Sequence, residues 1–284
     1  MQKQREEERS KRSLFIIMRS KILAVPYIVW MIIFTVIPLG LVIFFAFTTQ
    51  SGEFTFSNII AMNDYLDVLF RSIEFSVIAT VICLILGLPV AYLISRLARG
   101  KQGTMLMIVI LPMWINFLLR TYAWMTLLEE NGIINRFLGL FNLGPFNMIN
   151  NSGAVILGMI YNYIPFMILP LYSVMTKIDE SVIEAAQDLG CSGFHTITKI
   201  ILPLSKQGIS TGIITVFVPS VSTFIISRML GGGTNDLIGD IIESQFLGNS
   251  YNPHLGSAMA LVLMVIVILI MSLFNQFGSE EAVI

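Results

Sequence analysis

The sequence predicts an all-α integral membrane protein with six transmembrane helices. Of its 284 residues, 55% are apolar and only 12% are charged. An ordinary soluble domain carries about 25% charged residues, so this chain has too few ionic groups to cover a water-facing surface. Mean hydropathy is +0.80. The charges fall in clusters, and the windows between them meet or approach the about 20 residues a helix needs to cross roughly 30 Å of hydrocarbon. Other classes are excluded by the same composition. Two cysteines cannot staple a secreted scaffold, the low charge is the opposite of a disordered chain, and a net charge of -1 offers nothing to nucleic acid.

The first window runs from Ile22 to Phe47. Lys11, Arg12, Arg19 and Lys21 precede it as in a signal peptide. Its apolar run exceeds the about 7–15 residues of such a leader and no small-x-small cleavage site follows, which predicts a retained anchor. The second lies between Glu74 and Arg96, and the third between Lys101 and Arg120. The fourth is Ala154 to Thr176, inside an uncharged stretch from Arg136 to Lys177. The fifth lies between Lys206 and Arg228, and the sixth between His254 and Glu280. Amides in lipid must be paired within the segment, and the runs do not alternate as barrel strands do, so helices are predicted. The resulting organisation is a tail over 1–21, a six-helix membrane domain over 22–277 and a tail over 278–284.

Orientation follows from Lys and Arg in short loops. With both termini in the cytoplasm, only Arg71, Arg120, Arg136 and Arg228 of the 17 basic residues fall outside. The outer connections are net acidic, and the long ones, 129–153 and 228–255, are of a size that usually carries structure or function. Gly231-Gly232-Gly233 predicts a tight turn in the second. Cys83 lies in a span and Cys191 in a cytoplasmic loop, so no disulfide is expected. His195 and His254 fall on opposite sides of the membrane and cannot share a metal or form a dyad. The scattered methionines read as packing.

The cytoplasmic loop Lys177–Lys206 is the most informative segment. Between Asp179 and Leu189, helical spacing puts Val182, Ile183, Ala186 and Leu189 on one side, with Glu180, Glu184 and Asp188 as an acidic row. Gly190 is placed to stop that helix. A second helical stretch, Ser192 to Ile201, is expected to end at Pro203.

Glu184-Ala185-Ala186, Gly190, Ile200 and Leu202-Pro203 stand at the spacing of the EAA motif, and this loop resembles that of ABC-importer permeases. The resemblance implies a type I ABC importer permease (MetI-like) fold in a bacterial cell membrane. It implies a coupling segment over 179–203 whose helix docks on a cytoplasmic ATPase, with Ala185 and Ala186 allowing close approach and Glu184 accepting charge-assisted hydrogen bonds. It further implies two ATPase subunits, a homologous second permease subunit and an extracytoplasmic substrate-binding protein. The chain has no GxxxxGK[ST] loop, so Mg-ATP is expected on the partner ATPase, with no cofactor in this chain. The other reading of the segment is an ordinary helix at the membrane surface.

Arg120-Thr121-Tyr122-Ala123-Trp124, the stretch Leu127 to Phe137, Met229 to Gly233, Asp236 to Asp240 and Gln245 to Leu247 are similar to the PotB-like permease subunits of spermidine/putrescine importers. Permeases for ferric ion, thiamine and organic anions share much of this frame. A polyamine wants carboxylates for its ammonium groups and aromatic faces along its stem. Tyr122, Trp124, Tyr161 and Tyr163 in spans three and four, Glu129 outside span three, Ser220 in span five and Asp240 before span six are the candidate pathway residues. Their other reading is interfacial anchors for the aromatics, solvated loop acids and close helix packing for span five. Arg120 is expected to snorkel to the outer headgroups rather than gate cations or pair with Glu129 or Glu130. An intramembrane hydrolase is disfavoured because neither histidine lies in a span, and an ion-driven transporter because no carboxylate lies in mid-span.

Overall fold

The computed structural model describes residues 25–248 and 250–279, so the tail 1–21 and most of the tail 278–284 lie outside the described residues. Among the described residues every regular element is helical, apart from an isolated antiparallel bridge between Thr48 and Phe54.

Helix α1 is Val25–Ala46. It contains a π-helical turn at Ile32–Val36, just ahead of Pro38, which has no N–H to continue the regular ladder. Helix α2 is Ser57–Ser95. The sequence reading put Glu53 to Glu74 in an outer loop, but most of it is helix. Met62 and Leu69 are buried with Phe217, Val221, Met259 and Leu263, and that burial extends the helix beyond the span.

The third window is not one straight crossing. Helix α3, Arg99–Trp114, is followed by α4, Phe117–Leu128, and α5, Ile133–Gly139, with a bend of 86° between α3 and the segment Phe117–Gly139. Pro112 opens a 3-10 turn at the end of α3, Ile115 is extended, and the Asn116 side chain caps α4 by accepting from Leu118 N–H at 2.8 Å. Arg120 therefore belongs to the helix after the break.

Helix α6, Ser152–Met175, is the central span. It packs against α2 on one side and on the other against α9, Lys206–Val221. Val155, Met159, Met167, Leu171 and Met175 are fully buried along it. The connection between α6 and the next long helix holds α7, Glu180–Asp188, and α8, Gly193–Leu204. Helix α8 passes through Pro203 instead of ending there, then bends by 76° into α9. The fifth window is shorter as a helix than predicted, because α9 stops at Val221 and α10, Ile225–Leu230, is a separate element. Helix α11, Ile238–Leu247, and α12, Pro253–Ser279, complete the chain. Four helices are long and apolar enough to cross a membrane alone, and six crossings result when each bent pair counts as one. Helix α1 packs chiefly on α12 and leaves most of its side chains exposed.

The contact between α6 and α9 uses small residues at GxxxG spacing. A Cβ on Gly208 would lie 3.0 Å from the Pro170 carbonyl, and one on Gly212 would lie 2.6 Å from Met167 Sδ. Pro170 has no N–H to give the Phe166 carbonyl, and Thr215 of α9 donates to that oxygen at 3.0 Å.

Candidate functional site

The EAA-like segment lies between the C-terminal end of α6 and the N-terminal end of α9. Asp179 caps α7 by accepting from Ser181 N–H at 3.2 Å. The apolar set read from helical spacing divides. Ile183 and Ala186 are buried against the chain's own core, whereas Val182 is exposed and Leu189 is 87% exposed. Glu184 and Ala185 are exposed as well. The arc of α7 is narrow because only its root touches the bundle. Gly190 ends the helix with φ +84, a left-handed backbone that costs other residues about 1–2 kcal/mol. Its turn lets Cys191 N–H donate to the Ala186 carbonyl at 3.0 Å. Phe194 is 75% exposed beside it. Ile200, Leu202 and Pro203 are half-buried around the fully buried Ile201. Pro203 follows a π-helical turn at Ile197–Ile201 and precedes the bend into α9. The motif thus presents a free polar and apolar ledge, Glu184, Ala185, Leu189 and Phe194, on a root fixed by Ile183, Ala186 and Ile201.

The candidate pathway residues do not converge on one point. Trp124 and Tyr161 meet edge to face, with ring centroids 5.3 Å apart. Tyr163, two residues beyond Tyr161 and therefore on a different side of α6, is buried and donates its hydroxyl to the Pro219 carbonyl at 3.3 Å. Tyr122 lies on the other side of α4 and is 55% exposed. Glu129 is the exposed residue that ends α4. Ser220 is fully buried and donates to the Val216 carbonyl at 2.7 Å, a bond internal to α9. Ser222 and Thr211 likewise bond backwards to the carbonyls of Val218 and Gln207. These hydroxyls are occupied by helix carbonyls in this conformation.

Arg120 overturns the snorkelling expectation. Its side chain turns inward, and the residue is only 8% exposed. It lies over the Phe117 ring at 5.8 Å and within electrostatic reach of Tyr163. Nε and Nη1 are buried without a hydrogen-bond partner, as is Oδ1 of Asn162 on α6. Glu129 and Glu130 are exposed and form no ion pair with it among the described residues. The break at Ile115–Asn116 is the cause, since it rotates α4 so that Arg120 and Thr121 face the bundle. An uncompensated buried charge is costly. Arg120→Met is therefore expected to stabilise the isolated subunit by about 1–4 kcal/mol, the range found when buried ions give way to apolar residues, read as a rise in Tm in detergent.

Asp240 is also buried rather than solvated, at 4% exposure. Its Oδ2 accepts from the Ser227 hydroxyl and from Leu237 N–H at 2.8 Å, which caps α11, while Oδ1 has no hydrogen-bond partner and lies 3.9 Å from Arg228 Nε. Ile238 N–H donates to the Ser72 hydroxyl at 2.7 Å and fastens α11 to α2. Burial pushes the Asp240 carboxyl above its ordinary range, against the opposing pull of Ser227, Leu237 N–H and the nearby Arg228. Arg228 pairs with Glu243 and holds that carboxyl below its usual range. A carboxyl raised in the folded state stabilises fully below its unfolded pKa, and this contribution is lost as pH rises through the folded value. Asp240→Asn, which keeps an acceptor without charge, is expected to raise Tm at neutral pH and leave it unchanged at acidic pH. An equal effect at both would remove the charge as the cause.

Comparison with known proteins adds to this geometry. The family described as binding-protein-dependent transport system inner membrane component matches residues 76–278. The chain is 36% identical over 258 residues to the spermidine/putrescine transport system permease protein PotB of Haemophilus influenzae, covering 87% of this chain and 90% of that protein. It is 35% identical over 248 residues to the protein of the same name from Escherichia coli, covering 84% and 90%. In fold it is similar to a bacterial ABC transporter involved in the import of the acidic polysaccharide alginate. That match has a TM-score of 0.79 and 18% identity, and covers 95% of this chain and 99% of the other.

Proposed function

Because this chain belongs to the family of binding-protein-dependent transport system inner membrane components, we propose that it is the permease subunit of an ATP-driven importer for polyamines, spermidine or putrescine. The observation that carries the cargo is the 36% identity to a spermidine/putrescine permease along most of both chains. The mechanism is supported by the exposed ledge of α7 on its fixed root.

In this reading the positive-inside bias puts both termini and α7 in the cytoplasm. Two ATPase subunits bind Mg-ATP, and one of them receives Glu184, Ala185, Leu189 and Phe194. Closure of the ATPase pair pushes α7, and the root at Ile183 and Ala186 passes the displacement to α6 and α9. The membrane helices then exchange inward-open and outward-open states as rigid parts. A homologous second permease subunit completes the pathway, and a substrate-binding protein docks on the outer connections. This chain carries out no chemistry of its own. The edge-to-face pair Trp124 and Tyr161 is suited to a polycation, since aromatic faces attract ammonium groups.

The test is uptake by the reconstituted complex. Labelled spermidine and putrescine should enter vesicles in an ATP-dependent way, while ferric ion, thiamine and organic anions should not. ATP-dependent entry of one of the latter without polyamine entry would overturn the cargo and leave the importer.

A further inference from the structure

Arg96 follows the last residue of α2, at the cytoplasmic end of the second span. Its guanidinium crosses to the end of α6. Nη2 donates to the Met175 carbonyl at 3.1 Å and Nη1 to the Ile178 carbonyl at 3.2 Å. Met175 is the last residue of α6, and Ile178 lies in the short link 176–179 that leads into α7. Two carbonyls, one at the end of α6 and one within that link, are therefore held by one planar cation. A helix C-terminus is where unpaired carbonyls and the negative end of the dipole favour a positive charge. Tyr92 supports the guanidinium from below, its ring centroid 5.7 Å from Cζ. Gln102 of α3 bonds to the carbonyls of Ser95 and Leu97 at 3.1 and 2.7 Å, and Tyr172 of α6 donates to Gln102 Oε1 at 2.9 Å. The ends of α2, α3 and α6 are thus knotted together at the base of α7.

We propose that Arg96 is a positioning residue for energy coupling: its two bonds to Met175 and Ile178 make the link under α7 rigid, so that a push on α7 moves α2 with α6. The alternative path for the same push is a swivel of residues 176–179, which dissipates it. The link is short but has no other side-chain bond to α2 among the hydrogen bonds of the described residues. The planar guanidinium suits two divergent carbonyls, whereas an ammonium acts as a point charge. The inference rests on the importer reading above and concerns how that importer couples, whatever its cargo.

The experiment measures cargo uptake and ATP hydrolysis together in the complete reconstituted complex. For Arg96→Ala, uptake per ATP hydrolysed should fall about fivefold or more, the lower end of a typical coupling free energy, while hydrolysis persists. Arg96→Lys should recover part of the ratio. An unchanged ratio in Arg96→Ala, or a fall of uptake and hydrolysis in proportion, would overturn the role. If Arg96→Ala does not assemble, Arg96→Lys carries the same decision, because it keeps the charge and loses the two-carbonyl grip. A wild-type complex that imports a different cargo sinks the polyamine reading alone, and the ratio is then measured with that cargo.

Discussion

Gly190→Val is expected to lower ATP-driven uptake at least tenfold and to weaken co-purification of the ATPase subunit, while the membrane bundle keeps its stability. Gly190 has φ +84, and a Cβ there meets nothing within 4 Å. The penalty is therefore backbone strain and not a clash. A non-glycine residue in the left-handed region costs about 1–2 kcal/mol, and a β-branched one is a poor occupant of it. The chain relieves that strain by unwinding the end of α7, which displaces Leu189 and the bond from Cys191 N–H to the Ala186 carbonyl. Each 1.4 kcal/mol of lost docking is about tenfold in affinity. Gly190→Asn is the control, because asparagine visits this conformation more readily, and it should keep most of the uptake. Wild-type uptake by the valine variant would remove the turn from the coupling contact.

Gly239→Ala is expected to destabilise the fold strongly for a single added methyl. A Cβ on Gly239 would stand 2.5 Å from the Thr223 carbonyl oxygen and 2.7 Å from that of Ser222. Both are backbone atoms just past the end of α9, so they cannot step aside as a side-chain tip does. Overpacking of this kind costs about 1–3 kcal/mol and occasionally more. Relief would push α11 away and pull Asp240 from Ser227 and Leu237. The expected readout is a fall of several degrees in Tm together with reduced uptake. Gly212→Ala is the milder comparison, since its nearest contact is the flexible end of Met167 at 2.6 Å. Equal Tm values for Gly239→Ala and wild type would show that α11 is free to shift.

Much of this was legible in the residues. Membrane spans are written as uncharged windows because hydrocarbon tolerates little else, and that rule needs no knowledge of neighbours. The EAA-like spacing and the stop at Gly190 are local as well, whereas the end expected at Pro203 is instead a bend after Leu204. The third window could not be read correctly, because whether Pro112 and Asn116 kink a span or break it depends on what the next helix packs against. The rotation of Arg120 into the bundle follows from that break. So does the separation of Tyr122 from Trp124, which spacing alone had grouped as one aromatic lining.

Arg96 and Gly239 show the limit most plainly. In the sequence Arg96 is one more positive charge of a cytoplasmic loop, and Gly239 one more loop glycine. Each acquires its role from an atom far away in the chain, the carbonyls of Met175 and Ile178 for one and of Thr223 for the other. Composition and local spacing decided that this chain carries helices apolar enough to cross a membrane and a short helix that stops at Gly190, since burial in lipid and helix geometry act on neighbouring residues. Only tertiary packing decided which cations turn inward, which acids are occupied as caps and which helix ends are tied together, because those outcomes depend on where backbone carbonyls from distant segments come to rest.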